Sequence, residues 1–309
     1  MEECKVLLEY FPLISEHEEF FPTFVANCVF NTLLCYTAII LNVVAIYAIR
    51  RTSSLPKTLK TLLVSLAVSD VGVGLLAQPF YSFFLIKWLR KNNTGCAIYR
   101  AFLVIMNFVS AASFFGVLAM SVDRFLAIHL HLRYQELVTD IRVVAAVASV
   151  WVVSGLASPL ILWLESDSHH MLLTSVAVFG FLITALVYIK TYLVLRRHRN
   201  DIQTFQVHQV TQDGGEIVNF ARLRKSAVGT FYVYLAFWVC YMPCAICLAA
   251  FVIYGPIIDL KKFFLYSWSL MFLNSSLNPV IYYWKMRHIR RTVIDILRKM
   301  VRQRNQISF

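Results

Sequence analysis

The chain has 309 residues, 59% of them hydrophobic and only 15% charged, where soluble domains run near about 45–50% and about 25%; mean hydropathy is +0.65. That balance excludes a disordered chain, and seven cysteines in this length are too few for a disulfide-stapled scaffold. The formal net charge of +12 is not read as a nucleic-acid signature, because most of the excess falls in the turns on one side of a series of apolar blocks.

In chain order, the segment Met1–Glu19 carries six acids and one lysine before any apolar run. This is the opposite of a basic leader, so the first apolar block is expected to act as its own insertion signal. Seven blocks follow: Phe24–Ile49, Leu59–Ile86, Ala97–Ile128, Val143–Leu164, Met171–Leu195, Ala227–Tyr254 and Phe263–Trp284. Each supplies the roughly 20 residues that a helix needs to cross a bilayer core. They are apolar nearly all round, whereas helices of a soluble bundle keep a polar face. The turns are short except for a polar stretch, Gln203 to Phe220, in which Gly214 and Gly215 mark a flexible point. Beyond the last block, Met286, Ile289, Val293, Ile296, Leu297, Met300 and Val301 share one helical face and Arg and Lys the other. That pattern predicts an interfacial amphipathic helix, without a cysteine for palmitoylation.

The fold expected is therefore all-α: a membrane protein built as a seven-transmembrane helix bundle, with a short amphipathic cytoplasmic helix after the seventh. Residues 1–23 form an extracellular N-terminus, 24–284 the transmembrane domain, and 285–309 the amphipathic helix and tail. Lysine and arginine set the orientation. Lys5, Lys87, Arg90, Lys91, Arg100, Lys261 and Lys262 lie on one side, and the remaining 22 of 29 on the other. The richer side is cytoplasmic, so the N-terminus is outside; the basic rim is the ordinary inner edge of a multispan protein, the alternative being attraction to anionic lipid or to an acidic cytoplasmic partner. No internal repeat is evident, and intramembrane charges are confined to Asp70 and the Asp123–Arg124 pair, which disfavours a transporter or channel. No catalytic constellation is present to support an enzyme.

Polar residues inside the membrane are costly and mark function. Asn42, Leu66-Ala67-Val68-Ser69-Asp70, Asp123-Arg124-Phe125, Trp151, Tyr188, Phe237-x-x-Cys240-x-x-Pro243 and Asn278-Pro279-Val280-Ile281-Tyr282 occur in successive blocks. Together they resemble the rhodopsin-like G-protein-coupled receptors, in the right order over all seven helices. Asp123 to Tyr134, with Leu137-Val138-Thr139 after it, looks most like the adenosine-receptor branch and its melanocortin relatives. The resemblance implies a plasma-membrane receptor that passes an extracellular signal to a heterotrimeric G protein. It implies that Asp123 restrains Arg124 at rest, and that release of Arg124 opens a crevice for the G protein. Tyr188 and Tyr282 would close on Arg124 in the active state, Pro243 and Pro279 would act as hinge and kink beside Asn278, and Phe237 with Phe114 would form a packed switch.

Departures from the pattern are informative. Tyr241 replaces a tryptophan, His131 replaces a proline, and Leu223 stands where many relatives place an acid that locks Arg124. Cys96 lies about a turn earlier than the family's helix-three cysteine, and Glu165–His170 contains no cysteine, so the usual bridge cannot form; Cys4 is an alternative partner. Asn92-Asn93-Thr94 is a glycosylation sequon at Asn92. His169 and His170 stand beside the mouth, as proton sensors or as plain loop residues.

Mapped through the motifs, the ligand cavity is lined by Phe80, Phe84, Met106, Asn107, Ser110, Tyr241, Leu248, Trp268 and Phe272. Met106 offers no counter-ion to an amine. Leu248 replaces the adenine-binding asparagine of adenosine receptors, and Phe272 the retinal lysine of opsins. A mostly aromatic pocket with few polar anchors suits a neutral apolar small molecule or lipid; the alternative is a nucleoside or peptide. No cofactor is implied, except an allosteric sodium ion. Asp70, Ser113, Asn274, Ser275 and Asn278 would hold it, since oxygen donors suit a hard cation.

Overall fold

The computed structural model describes residue 12 and residues 16–92, 95–130, 133–163, 166–206 and 214–307. The described residues contain no strand. The helices are α1 (His17–Arg51), α2 (Lys57–Leu89), α3 (Cys96–His129), α4 (Asp140–Ala157), α5 (Ser166–Gln206), α6 (Gly214–Tyr254), α7 (Ile258–Lys285) and α8 (Arg287–Ile307). A single helical turn, Tyr134–Leu137, joins α3 to α4, and Ser158–Leu162 tightens into a 3₁₀ turn after α4. An all-helical answer is what lipid demands, because a helix satisfies its backbone polar groups within itself.

Six of the seven expected blocks fall within helical segments, and the fourth is helical through Leu162, its last residue Leu164 lying outside the described residues. Helices α1 to α6 contain apolar stretches long enough to cross a membrane. Helix α7 has 28 residues, about 42 Å at 1.5 Å per residue, which is also sufficient. Its Ser267, Ser269, Asn274, Ser275, Ser276 and Asn278 are buried, because α7 packs between α1 and α6. Its polarity faces protein rather than lipid.

The helices outrun the hydropathy blocks, which is a correction to the expected boundaries. Helix α5 continues to Gln206 and α6 begins at Gly214, so much of the expected Gln203–Phe220 loop is helix. Residues such as Arg196, Arg197, Glu216 and Arg222 favour helix without favouring lipid, and hydropathy reports only the second property. Helix α1 likewise starts at His17 rather than near Phe24. Contacts hold this extra length. His17 Nε2 lies 2.9 Å from Trp88 O, and the acids Glu16 and Glu19 reach Lys261 and Lys262 of α7 at 4.0 and 2.5 Å.

Helix α2 is interrupted by a five-residue π-helical turn, Val73–Ala77. Pro79, just beyond it, has no N–H to donate to the preceding turn, and the widened turn accommodates that loss. Gly74 lies where α1 comes closest: a Cβ there would stand 2.7 Å from Ile39 Cγ1. The Cys35 thiol donates to Gly74 O at 3.1 Å.

Two apolar cores result. One, at the end of the bundle away from α8, gathers Phe24, Tyr81, Phe84, Phe102, Trp268 and Phe272. The other, toward α8, gathers Leu63, Met120, Tyr188, Val233, Phe237 and Tyr282. Met286 at the α7–α8 junction and Ile289 of α8 are buried and close the second core, and Thr52 Oγ1 of the α1 C-terminus meets Thr292 Oγ1 at 3.0 Å. The expected apolar face of α8 is present at Ile289, Val293 and Ile296; the side chains of Leu297, Met300 and Val301 lie outside those described.

Candidate functional site

Arg124, near the α3 C-terminus, is only 2% exposed. A buried guanidinium must be paired. Both its Nε, at 2.9 Å, and its Nη2 donate to Asp123 Oδ2, and its Nη1 donates to Ser226 Oγ of α6 at 3.3 Å. The other carboxylate oxygen, Asp123 Oδ1, accepts from Tyr134 OH at 2.7 Å, and Thr58 Oγ1 of α2 lies 3.1 Å from that hydroxyl. Burial and the facing Asp123 carboxylate push the Tyr134 phenol up to about 12, so it stays protonated and donates. Three helices and one loop thus converge on a single ion pair. Nearby, Ser121 Oγ donates to Tyr188 OH at 3.2 Å, while the Tyr282 hydroxyl is buried with no hydrogen-bond partner.

Asp70 is fully buried in α2. Its Oδ2 accepts from Asn278 Nδ2 at 2.8 Å, and its Oδ1 has no hydrogen-bond partner. Asn42 Nδ2 donates to Ser275 O at 2.8 Å, and Ser113 Oγ donates to Ser69 Oγ at 3.1 Å. Asn42 Oδ1, Asn278 Oδ1 and both polar side-chain atoms of Asn274 are buried without partners. Buried polar groups are normally satisfied. This layer of unspent oxygens beside one carboxylate therefore fits a small hard cation with water. Asp70 of α2 is bonded to Asn278 of α7, the helix that also carries Asn274 and Ser275, and Ser113 of α3 bonds Ser69, the residue before Asp70.

Between these layers lies the α3–α6 packing. Phe114 and Phe237 have ring centroids 5.9 Å apart, and Tyr241 stacks on Phe237 at 3.9 Å. Pro243 and Pro279 both sit inside their helices. At the α7–α8 junction, Lys285 Nζ lies 3.8 Å from the Tyr232 ring centroid of α6 and 3.5 Å from that of Trp284, a cation–π contact between helices.

The nine expected cavity residues fall into two groups. Phe84, Met106, Trp268 and Phe272 are buried in one interlocked aromatic cluster, with Phe80 half-buried at its edge. Tyr81 and Phe102 fill its centre, at 5.4 and 5.1 Å from the Trp268 ring, and Tyr81 OH donates to Leu265 O at 2.9 Å. Asn107, Ser110, Tyr241 and Leu248 form the second group, half-buried on the α3 and α6 faces. Trp151, also matched by the resemblance, donates from Nε1 to Ser65 Oγ at 3.0 Å and fastens α4 to α2.

Asn92 is exposed just beyond α2, where Lys91 at φ 54° turns the chain and Asn92 N donates to Lys87 O in a Schellman closure. Thr94 of its sequon lies outside the described residues, as do His131 and Cys4; the side chains of His169, His170 and Leu223 do too. Cys96 is disulfide-bonded, so a bridge forms here despite the shifted position. Cys28, Cys35, Cys240, Cys244 and Cys247 are free thiols. Sequence reasoning missed Ser226, Tyr134 and Tyr81 as partners. No spacing announces a hydroxyl that bonds across helices.

Comparison with known proteins agrees with this geometry. Residues 41–171 match the family described as 7 transmembrane receptor (rhodopsin family). The chain is similar to adenosine receptor A2b of Gallus gallus, at 27% identity over 84% of this chain and 84% of that one. It is similar to adenosine receptor A3 of Canis lupus familiaris, at 25% over 84% and 87%, and to adenosine receptor A2a of Equus caballus, at 25% over 87% and 71%. Motifs on all seven helices, the helical bundle and these relatives converge: the chain is a multi-pass membrane protein similar to the rhodopsin-like seven-transmembrane receptors, the adenosine receptors among them.

Proposed function

We propose that the protein is a plasma-membrane receptor, N-terminus outside and α8 in the cytoplasm, that couples a small neutral apolar molecule or lipid to a heterotrimeric G protein. The observation that carries the coupling is Arg124, buried and shared between Asp123 of its own helix and Ser226 of α6. Displacing α6 breaks the Ser226 bond and leaves the guanidinium held by Asp123 alone, so the same motion that opens a crevice loosens its charge. The aromatic cluster around Trp268 and the few half-buried anchors, Asn107, Ser110 and Tyr241, support a ligand recognised by shape and one or two hydrogen bonds. The loop acids and histidines carry no part of this reading.

A nucleoside ligand is the second reading. In its favour is the likeness to receptors named for adenosine over more than four-fifths of the chain; against it stands Leu248, half-buried against the aromatic cluster, with no polar atom to offer a purine. Cells carrying reporters for each G-protein class, challenged with neutral volatiles, lipids, adenosine and amines, decide between them. Responses to neutral apolar compounds alone are expected. A response to adenosine would replace this reading with the second.

The hold on α6 through Ser226 is a single neutral hydroxyl, weaker than an ion pair. We expect measurable signalling without ligand, and Leu223→Glu, which places a carboxylate about one turn from Ser226, to lower it by about fivefold. Unchanged ligand-free output at equal surface density would show that no acid at this position reaches Arg124.

A further inference from the structure

Lys285 is the last residue of α7, half-buried where the chain turns into α8. Among the described residues, no carboxylate pairs with it. Its ammonium faces two rings instead: Trp284, its neighbour on α7, at 3.5 Å, and Tyr232 of α6 at 3.8 Å, both measured to the centroid. The two rings stand 5.6 Å apart and are tilted by 59°, so the cation lies in the angle between them. Ring faces attract a cation electrostatically, and more strongly where water is thin. Backbone follows side chain at this point. A Cβ added to buried Gly229 of α6 would stand 3.1 Å from Met286 Cε and 3.8 Å from Lys285 Cβ, so the bare glycine is what lets the α7–α8 junction come this close. Ser226, Gly229 and Tyr232 succeed one another at intervals of three residues, about 60° apart around the helix. The first bonds Arg124 of α3, and the other two meet the α7–α8 junction. The cytoplasmic half of α6 is thus held from two directions, by one neutral hydroxyl and by one cation set on a ring.

We infer that Lys285 is a clasp on α6: its contact with the Tyr232 ring restrains the cytoplasmic half of α6 against the α7–α8 junction, and α6 departs only by withdrawing that ring from the ammonium. The pairing of Lys285 with Trp284 lies within one helix and does not depend on α6. Opening the clasp therefore removes one ring face and leaves the charge with the other, which keeps the step small and reversible. The link from α6 displacement to signalling rests on the function proposed above; the link from Lys285 to α6 does not.

Two variants remove the contact from opposite sides. Lys285→Met keeps the length of the side chain and loses the charge, and Tyr232→Leu loses the ring and leaves Lys285 with Trp284. Purified receptor in lipid nanodiscs, with spin labels at the cytoplasmic ends of α2 and α6 and no G protein present, reports α6 displacement as a distance distribution. Each variant is expected to raise the displaced population about fivefold, with ligand-free reporter output in cells rising alongside. The two combined are expected to do no more than either alone, because both delete the same contact. Lys285→Arg, whose guanidinium also stacks on ring faces, is expected to retain the wild-type distribution. An unchanged α6 distance in either Lys285→Met or Tyr232→Leu overturns the inference. So do effects that add in the double variant, or Lys285→Arg as displaced as Lys285→Met, since a cation on a ring would not then be the restraint. If Tyr232→Leu fails to reach the surface, Lys285→Met with an unmoved α6 is sufficient to overturn it. A shifted distance with silent reporters leaves the clasp in its role and instead removes the proposed coupling.

Discussion

Replacing Arg124 with alanine is expected to reduce G-protein signalling to the level of cells lacking the receptor, at near-normal surface expression. On the proposed reading Arg124 supplies the charge that α6 displacement releases, and alanine has nothing to present in its place. Removing one member of a buried ion pair commonly costs about 3–5 kcal/mol, which could eject the protein from the membrane before signalling is measured. Here the stranded Asp123 keeps a donor in Tyr134 OH at 2.7 Å, so the loss should be survivable. Arg124→Lys separates the two effects. Lysine keeps the positive charge beside Asp123, but it lacks the fork that engages Asp123 and Ser226 together. Full expression with absent signalling in both variants supports a signalling role. Loss of surface receptor in both would make Arg124 a structural residue.

Asp70→Asn is expected to abolish any dependence of the receptor on sodium. A carboxylate withdrawn from water needs donors, a cation or a proton, and Asp70 has one donor, Asn278, for its two oxygens. The orphaned oxygens of Asn42, Asn274 and Asn278 are of the kind a hard cation takes. When bound, sodium would supply the positive charge that this layer lacks. If activation compresses the layer, sodium binds the resting state better and biases toward it. Replacing sodium by a bulky monovalent cation at fixed ionic strength should then raise ligand-free signalling. It should also lower the melting temperature of purified wild type, since a ligand of the folded state stabilises it by mass action. Asp70→Asn should show neither effect. Equal behaviour of wild type in the two cations would leave Asp70 as a protonated hub bonded to Asn278.

The sequence made the course of the chain legible because lipid imposes a one-dimensional code: twenty apolar residues per crossing, and basic residues in the turns of one face. Where the solvent changes, the code stops. Glu18 and Glu19 belong to α1 and residues 198–206 to α5, yet hydropathy ends both helices near the membrane edge. The site was legible in the same partial way. Asp123 beside Arg124 and Asn278 beside Pro279 are read from adjacency, and the structure keeps them at the centre of their layers. Ser226 is read from nothing, and Tyr134 only as the end of a matched run, not as a partner of Asp123. Each is an ordinary hydroxyl whose importance comes from a partner on another helix 102 or 11 residues away. The cavity residues show the opposite failure. Aromatic side chains at helical spacing identify an interior face, but not whether that face encloses a ligand or packs on itself, as Tyr81, Phe102 and Trp268 do.

The π-helical turn in α2 acts as a phase correction. An ideal helix advances about 100° per residue, and the wide turn at Val73–Ala77 adds roughly one residue to the winding without adding a turn. Every side chain beyond it is rotated by that step relative to an uninterrupted helix begun at Lys57. The residues that then face the interior are Tyr81, Phe84, Leu85 and Trp88. The lipid receives Phe83 and Ile86. Ordinary winding through Val73–Ala77, with no residue removed, would rotate the rest of α2 by about 100°. The Tyr81 hydroxyl would leave Leu265 O, and the aromatic cluster would lose its central ring to the bilayer. A single wide turn, invisible in composition, thus decides which side chains of this helix turn toward the bundle interior and which toward the membrane.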